Sequence, residues 1–120
     1  MTDIHIFKSS PDAVDVAAGE ILFSEGEQGD VMFAVVEGEV ELTHQGRVVE
    51  EVTAGGILGE MALIDTGPRS ASATARTASR IVRIDQKRFT FLVHEHPTFA
   101  LQVMRVMARR LRQANVTADR

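Results

Sequence analysis

The glycines of this chain are confined to its first part, and that distribution constrains the fold more than any other feature. All nine lie at or before Gly67 in a chain of 120 residues. Glycine supplies the positive φ angles that tight turns need, so the first part should contain many turns and the remainder few. A chain of this length suits one domain, and we expect residues 1–120 to form a single domain.

Short stretches between these glycines, and two that follow Gly67, have the length and composition of β-strands. The clearest are Glu20–Ser24, Val31–Gly38, Glu39–His44, the segment 47–52, Ala71–Thr77 and Arg80–Asp85. Val40 and Leu42 alternate with charged neighbours, as in a strand with one buried face. Short strands at this spacing are typical of a sandwich, a jelly roll or a small barrel. We predict a mainly β protein with a jelly-roll-like β-roll over about residues 13–85.

Two helices are predicted over about residues 86–115. Asp85 is a suitable N-cap for a helix that begins near Gln86 and ends before Pro97. A second helix, from about Thr98 to Asn115, is indicated by apolar residues at helical spacing, namely Ala100, Val103, Met104, Met107 and Leu111. This helix also carries Arg105, Arg109, Arg110 and Arg112. We interpret the arginines as a solvent-exposed face, with a partner interface as the alternative.

The charge distribution and composition exclude several classes of function. Residues 1–85 carry 6 basic and 15 acidic side chains, a balance of −9, whereas residues 86–120 carry 7 and 2, a balance of +5. The field of the acidic part would not attract nucleic acid. The chain has no cysteine, no secretory signal pattern and no apolar stretch long enough to span a membrane. We therefore expect a soluble, cytoplasmic protein without a nucleic-acid or membrane partner.

The segment Gly59–Ala73, GEMALIDTGPRSASA, carries the main chemical signal. The residues after Gly59 are good helix formers, and the start of a helix presents free N–H groups that suit an anion. The turn that follows can bring Arg69 back toward those groups, where its guanidinium would meet a phosphate. Glu60 is an acceptor that suits a sugar hydroxyl. Together they predict a nucleotide site for a ligand of low charge, because a Walker motif and a magnesium-binding acidic cluster are missing.

This segment resembles the phosphate-binding cassette of the cyclic nucleotide-binding domain family, which includes the effector domain of the catabolite activator protein and the regulatory subunits of protein kinase A. Residues 17–42, AAGEILFSEGEQGDVMFAVVEGEVEL, resemble the first strands of the family, including their glycine positions. The similarity covers about residues 17–115. It implies an eight-stranded double-stranded β-helix with flanking helices, and cAMP or cGMP as the ligand.

The resemblance also implies a role for each residue of the cassette. Glu60 would accept a hydrogen bond from the ribose 2′-hydroxyl, and Arg69 would pair with the cyclic phosphate. Gly59 would allow the ligand to approach the backbone. Four residues would help to hold the phosphate through nearby backbone amides: Met61, Ala62, Ser70 and Ala71. In the family the last helix closes over the purine, which makes Arg112 and Asn115 candidate base-capping residues.

Some positions depart from the pattern of the family. The family often has phenylalanine where Leu58 stands and aspartate where Gly56 stands, and the helix that usually precedes the roll is nearly missing. Ser70 follows the arginine where a threonine hydroxyl is associated with a preference for guanine. Serine also offers a hydroxyl, so both nucleotides stay open, with cAMP favoured.

Two alternatives to a cyclic nucleotide sensor are a jelly-roll enzyme and a ligandless interaction domain. A jelly-roll enzyme would need a metal, but His94 and His96 fall at a predicted helix end and point to different sides, while His5 and His44 lie far apart in sequence. We expect neither a metal nor catalysis. The chain contains no helix-turn-helix, channel or kinase segment, so a sensing module would act on a partner in trans or form a homodimer through its last helix. The alternative is a ligandless interaction domain that acts through the basic C-terminal helix.

Overall fold

Eight β-strands and three helices make up the part of the chain that the computed structural model describes, residues 4–65 and 67–118, with the side chains of 115–118 outside the description. The strands are β1 Val14–Val16, β2 Ile21–Phe23, β3 Val31–Glu37, β4 Glu39–His44, β5 Arg47–Thr53, β6 Ile57–Leu58, β7 Ser72–Ala75 and β8 Ser79–Asp85. The helices are α1 Met61–Ile64, α2 Gln86–Glu95 and α3 Pro97–Ala118. The strands form two antiparallel sheets, in the orders β1-β8-β3-β6 and β2-β7-β4-β5. The predicted eight-stranded roll with C-terminal helices is confirmed.

The strand β3 of the first sheet is buried on both faces. Along β3, Met32 and Ala34 pack in a core with the helices, whereas Phe33 and Val35 pack in a second core between the two sheets. Successive side chains of a strand point to opposite faces, so a strand with two buried faces needs apolar residues at consecutive positions. This explains why the stretch Val31–Val36 is apolar throughout rather than alternating.

Aromatic contacts join the two C-terminal helices to each other and to the segment before β1. Phe99 of α3 is fully buried, and its ring meets those of Phe7 and Phe89 edge-on, with centroids 6.0 and 5.8 Å apart. Such pairs add to the stabilisation from burial alone. Phe7 precedes the roll, so the segment before β1 contributes to the core beneath the helices, which the sequence analysis did not predict.

The helix boundaries follow the expected capping chemistry. The Asp85 carboxylate accepts a hydrogen bond from the Arg88 N–H at 2.8 Å, so α2 begins where predicted. His96 lies between the two helices in a non-helical conformation, as expected before proline. Pro97 is the first residue of α3 rather than the residue before it, because proline at that position has no N–H to leave unsatisfied. The helix continues to Ala118, beyond the predicted end at Asn115.

Two strands of the roll were not predicted, β1 and β6. They contain three and two residues and pair with β8 and β3 respectively. The predicted strands at 20–24 and 71–77 are shorter than expected. Within the described ranges, none of the helices combines the length and apolarity needed to cross a membrane. The assignment of residues 1–120 to one domain stays a prediction.

We expect Asp85→Ala to lower the free energy of unfolding by about 0.5–2 kcal/mol, because the Arg88 N–H would lose its cap. Asp85→Asn should retain most of the stability, since asparagine caps helices about as well. Urea denaturation measures both, with Asp65→Ala, an exposed aspartate just after α1, as the control. Equal losses for Asp85→Ala and Asp65→Ala would contradict the capping role.

Candidate functional site

The arginine of the predicted cassette, residues 59–73, is buried inside the roll. The Arg69 residue is only 8% exposed, and its guanidinium carbon lies 4.2 Å from the centre of the Phe23 ring. Its Nη1 donates to the Gly59 carbonyl at 3.1 Å and its Nη2 donates to the Val31 carbonyl at 2.7 Å. The side chain is therefore held by backbone oxygens and an aromatic face.

The charge of Arg69 has no direct counter-ion among the described residues. Its Nε is buried without a hydrogen-bond partner in that part of the chain, and no described carboxylate lies within ion-pair distance. Burial lowers the pKa of the Arg69 guanidinium, while the more distant carboxylates of Glu27, Asp30 and Glu60 oppose that effect. A buried cation without a paired anion is costly, so this site favours the arrival of an anion.

Two glycines leave the space that the Arg69 side chain occupies. Gly59 has a φ of +73°, and a Cβ there would lie 2.7 Å from the Arg69 Nη1. A Cβ on Gly29 would overlap the same guanidinium. The sequence analysis assigned the open side of Gly59 to a ligand, whereas in this structure the arginine itself uses that room.

The carboxylate of the cassette, Glu60, is paired with an arginine of the C-terminal helix. Glu60 is 4% exposed, and its Oε1 accepts a hydrogen bond from Arg110 Nη1 at 2.5 Å. Arg110 also binds both carboxylate oxygens of Glu50, at 2.9 and 3.0 Å, and donates to the Ile57 carbonyl at 2.7 Å. Burial alone would lower the pKa of Arg110, but hydrogen bonds and charges from Glu50 and Glu60 raise it overall. This bridge ties α3 to the cassette and to β5.

The prediction that Arg110 lies on a solvent-exposed face was wrong. Its side chain is only 19% exposed, whereas that of the neighbouring Arg109 is 53% exposed. The burial of Arg110 could have been predicted from the helical period. Val103, Val106 and Arg110 follow the spacing i, i+3, i+7 and share one face of the helix. Both valines are buried in the core against the first sheet. An arginine at that spacing points toward the roll and needs acidic partners.

The remaining cassette residues differ in what their backbone amides do. The N–H groups of Met61, Ser70 and Ala71 have no hydrogen-bond partner among the residues that the structure describes, whereas the Ala62 N–H donates to the Gly59 carbonyl at 3.2 Å. The Met61 and Ser70 side chains are exposed. Three of the four predicted amide donors are thus unoccupied by the described protein groups.

Of the two candidate base-capping residues, only Arg112 has a side chain that the structure describes. Arg112 is exposed on α3 and lies two positions after Arg110, which puts it on a different side of the helix. The side chain of Asn115 lies outside the described residues. The guanidinium of Arg69 reaches the carbonyl next to Glu60, but no contact is described between the two side chains, since each has its own partners.

A cavity of about 310 Å³ opens beside Arg69. Phe23 and Phe33 form part of its wall together with Arg69, and Glu20, Glu27 and Asp30 also line it; Glu60 does not. Within the described ranges no three histidine or acidic side chains lie together as a metal would require, and His94 and His96 are both exposed.

We expect Arg110→Met to lower the free energy of unfolding by about 2–4 kcal/mol, because it leaves the buried Glu60 carboxylate without its cation and Glu50 with only the contact to Arg109. The control is Arg109→Met, which makes the same chemical change one position earlier and removes only an exposed contact to Glu50 at 3.3 Å. That variant should lose less than about 1 kcal/mol in the same urea denaturation. Similar losses for the two variants would show that the bridge to Glu60 does not account for the loss of stability in Arg110→Met.

Comparison with known proteins agrees with the fold and with the family that the sequence resembles. The family model described as "Cyclic nucleotide-binding domain" matches residues 13–96, which include all of the cassette but not Arg110. The CRP-like cAMP-activated global transcriptional regulator of Mycobacterium tuberculosis is 34% identical over 107 residues, covering 85% of this chain and 48% of that protein. The chain thus spans about half the length of the curated relatives it matches first, 48–58%.

Solved structures show the same relationship. The crystal structure of the Thermus thermophilus catabolite activator protein superposes with a TM-score of 0.79 at 31% identity, covering 89% of this chain and 53% of that one. A structure reported for a cyclic-GMP-dependent signalling pathway that regulates bacterial phytopathogenesis has a TM-score of 0.73 at 30% identity, covering 83% and 84% of the two chains. From its fold, its cassette and these matches, the chain belongs to the cyclic nucleotide-binding domain family.

Proposed function

We propose that this protein binds a cyclic nucleotide, with cAMP favoured over cGMP, and does so as a sensor rather than as an enzyme. The observation that supports this most directly is the burial of the Arg69 guanidinium without a paired carboxylate. A cyclic phosphate carries a single negative charge, which matches one unpaired guanidinium. The proposal assigns the phosphate to Arg69 and the ribose 2′-hydroxyl to Glu60.

The phosphate oxygens would meet donors of two kinds. The Arg69 guanidinium has an unpartnered Nε, and its Nη groups are held only by carbonyls that a charged acceptor can replace. The free N–H groups of Met61, Ser70 and Ala71 are the backbone donors of the same cassette. Hydrogen bonds to a charged group are worth about 1.5–3 kcal/mol each, so a few of them give useful affinity.

The bridge to Arg110 explains how a carboxylate can stand beside a phosphate site. Arg110 takes one oxygen of Glu60, and no described group binds the other, which leaves an acceptor for a ribose hydroxyl. The positive charge of Arg110 also offsets the repulsion between Glu60 and a bound phosphate. Arg110 thereby joins the proposed site as the residue that holds Glu60, a role that the sequence analysis did not predict.

The same bridge supports the proposal that α3 acts as a lid. A ligand that engages Glu60 acts on the side chain that ties α3 to the cassette. A ligand shifts an equilibrium only through contacts that differ between two states, and a ligand-dependent Glu60–Arg110 bridge is such a contact. In this proposal the position of α3 signals to a partner in trans, in the cytoplasm, without contact to nucleic acid or membrane.

The names of the relatives support the ligand class and leave the choice of base to experiment. One relative is named as cAMP-activated, and one structure belongs to a cyclic-GMP-dependent pathway. The first is a transcriptional regulator about twice as long as this chain, so its activity as a whole regulator is not carried over.

Calorimetric titration with cAMP and cGMP tests the proposal, and we expect Arg69→Lys to weaken binding by at least about tenfold. Lysine keeps the charge but loses the planar fork that reaches several oxygens. The matched control is Arg105→Lys, an exposed arginine of α3, which should bind as the original protein does. Equal losses in both variants would contradict the role of Arg69. If the unaltered protein bound neither nucleotide, the ligandless interaction domain would be the better description.

A second titration isolates Glu60. In the unaltered protein, we expect 2′-deoxy-cAMP to bind about fivefold to fiftyfold more weakly than cAMP, because the hydrogen bond to the Glu60 carboxylate is lost. In Glu60→Gln, the difference between the two ligands should shrink, since the charged acceptor is no longer present. A difference that stays the same size in Glu60→Gln would assign the ribose contact to another residue.

A further inference from the structure

A contact between a histidine and a carboxylate, outside the assigned site, joins two turns of the roll. His44, the last residue of β4, has its Nδ1 2.7 Å from Oε2 of Glu25, which lies in the turn after β2. The other oxygen of Glu25 accepts a hydrogen bond from the Gln45 N–H at 3.0 Å. Gln45 has a φ of 51°, the only positive value at a non-glycine residue among those described. The Glu25 carboxylate therefore holds both the histidine ring and the strained hairpin turn beside it.

The same pair is connected to the cassette. His44 Nδ1 also lies 3.1 Å from the Ser70 carbonyl oxygen, and the Glu25 N–H donates to Ser72 Oγ at 2.8 Å. Both main-chain groups of Arg69 are bonded to the turn that follows Glu25: the Arg69 N–H donates to the Glu27 carbonyl at 2.7 Å, and its carbonyl accepts from the Gly26 N–H at 2.8 Å. The backbone on either side of the phosphate-binding arginine is thus fixed by this turn and by His44.

The contacts of His44 specify the protonation of one ring nitrogen. Both groups that face Nδ1, the Glu25 carboxylate and the Ser70 carbonyl, are acceptors. Nδ1 must therefore carry a hydrogen, whether the ring is neutral or charged. In a neutral ring with its hydrogen on Nε2, the Nδ1 lone pair would face the Glu25 and Ser70 oxygens and be repelled by them.

This arrangement determines the direction of one proposed phosphate donor. The peptide between Ser70 and Ala71 is planar and trans, so its C=O and N–H point in opposite directions. Since the carbonyl points to His44, the Ala71 N–H points away from it. That N–H has no partner among the described residues, and the proposed function assigns it to the phosphate.

We propose that His44, oriented by Glu25, is a positioning residue for the phosphate site: it holds the Ser70–Ala71 peptide so that the Ala71 N–H and the Arg69 side chain converge on one anion. The inference rests on the proposed function for its ligand, and on the hydrogen bonds above for its mechanism. His44 itself does not touch the nucleotide. It acts through the peptide that it holds.

Titration of His44→Ala with cAMP tests this role. We expect the affinity to fall about threefold to tenfold, a modest loss because both side chains of the pair are partly exposed. His94→Ala makes the same chemical change at an exposed histidine of α2 and should bind normally. His44→Asn should restore most of the affinity, since its side-chain amide can donate from about the position of Nδ1. Affinity in His44→Ala equal to that of the unaltered protein would overturn the proposal.

Amide hydrogen exchange in the ligand-free protein separates this proposal from the binding function. In His44→Ala, the N–H groups of Gly26 and Arg69 should exchange several times faster, because the contacts of His44 with Glu25 and with the Ser70 carbonyl are lost. His44→Asn and His94→Ala should keep the original rates. If the unaltered protein bound no cyclic nucleotide, the proposed function would fail while faster exchange in His44→Ala would still support the positioning role. Unchanged exchange at both amides would overturn it.

Discussion

The burial of the Arg69 guanidinium is the constraint on which the rest of the site depends. Two glycines, two carbonyls and an aromatic ring are arranged around this one cation, and none of them neutralises it. Removing a charge from water without a partner costs several kcal/mol. A ligand that binds only the folded protein stabilises it, so the proposed binding of a cyclic phosphate at Arg69 would also stabilise the roll.

A second buried arginine shows the opposite solution. Arg110 is surrounded by the carboxylates of Glu50 and Glu60, and its pKa is raised overall despite its burial. One arginine is therefore fully compensated by the protein and the other is not. The compensated one lies on a helix and joins elements, whereas the uncompensated one lies on the loop before β7. The two buried arginines thus differ in their partners rather than in their burial, and the proposed function assigns the anion to the one without a paired carboxylate.

Much of the fold could be predicted from local patterns, and the unpredicted parts have a common cause. The alternation of Val40 and Leu42, the cap at Asp85 and the break at Pro97 are signals contained within a few residues. The strands β1 and β6 are too short to have a pattern, and they exist only because longer strands pair with them. The family was recognisable from the glycine, acid and arginine spacing of residues 59–73, while the roles of those residues stay predictions. The pairing of Glu60 with Arg110 could not be predicted from local patterns, because Arg110 lies 50 residues further along the chain.

The first sheet separates the two hydrophobic cores, and β3 contributes side chains to both of them. Phe33 lies 5.9 Å from the Arg69 guanidinium on one side, while its neighbours Met32 and Ala34 pack on the other side in the same core as Phe99. A displacement of the β3 backbone would therefore change the packing in both cores directly. Phe33 and Met32 thus place the surroundings of Arg69 and the core beneath α3 on opposite faces of the same strand.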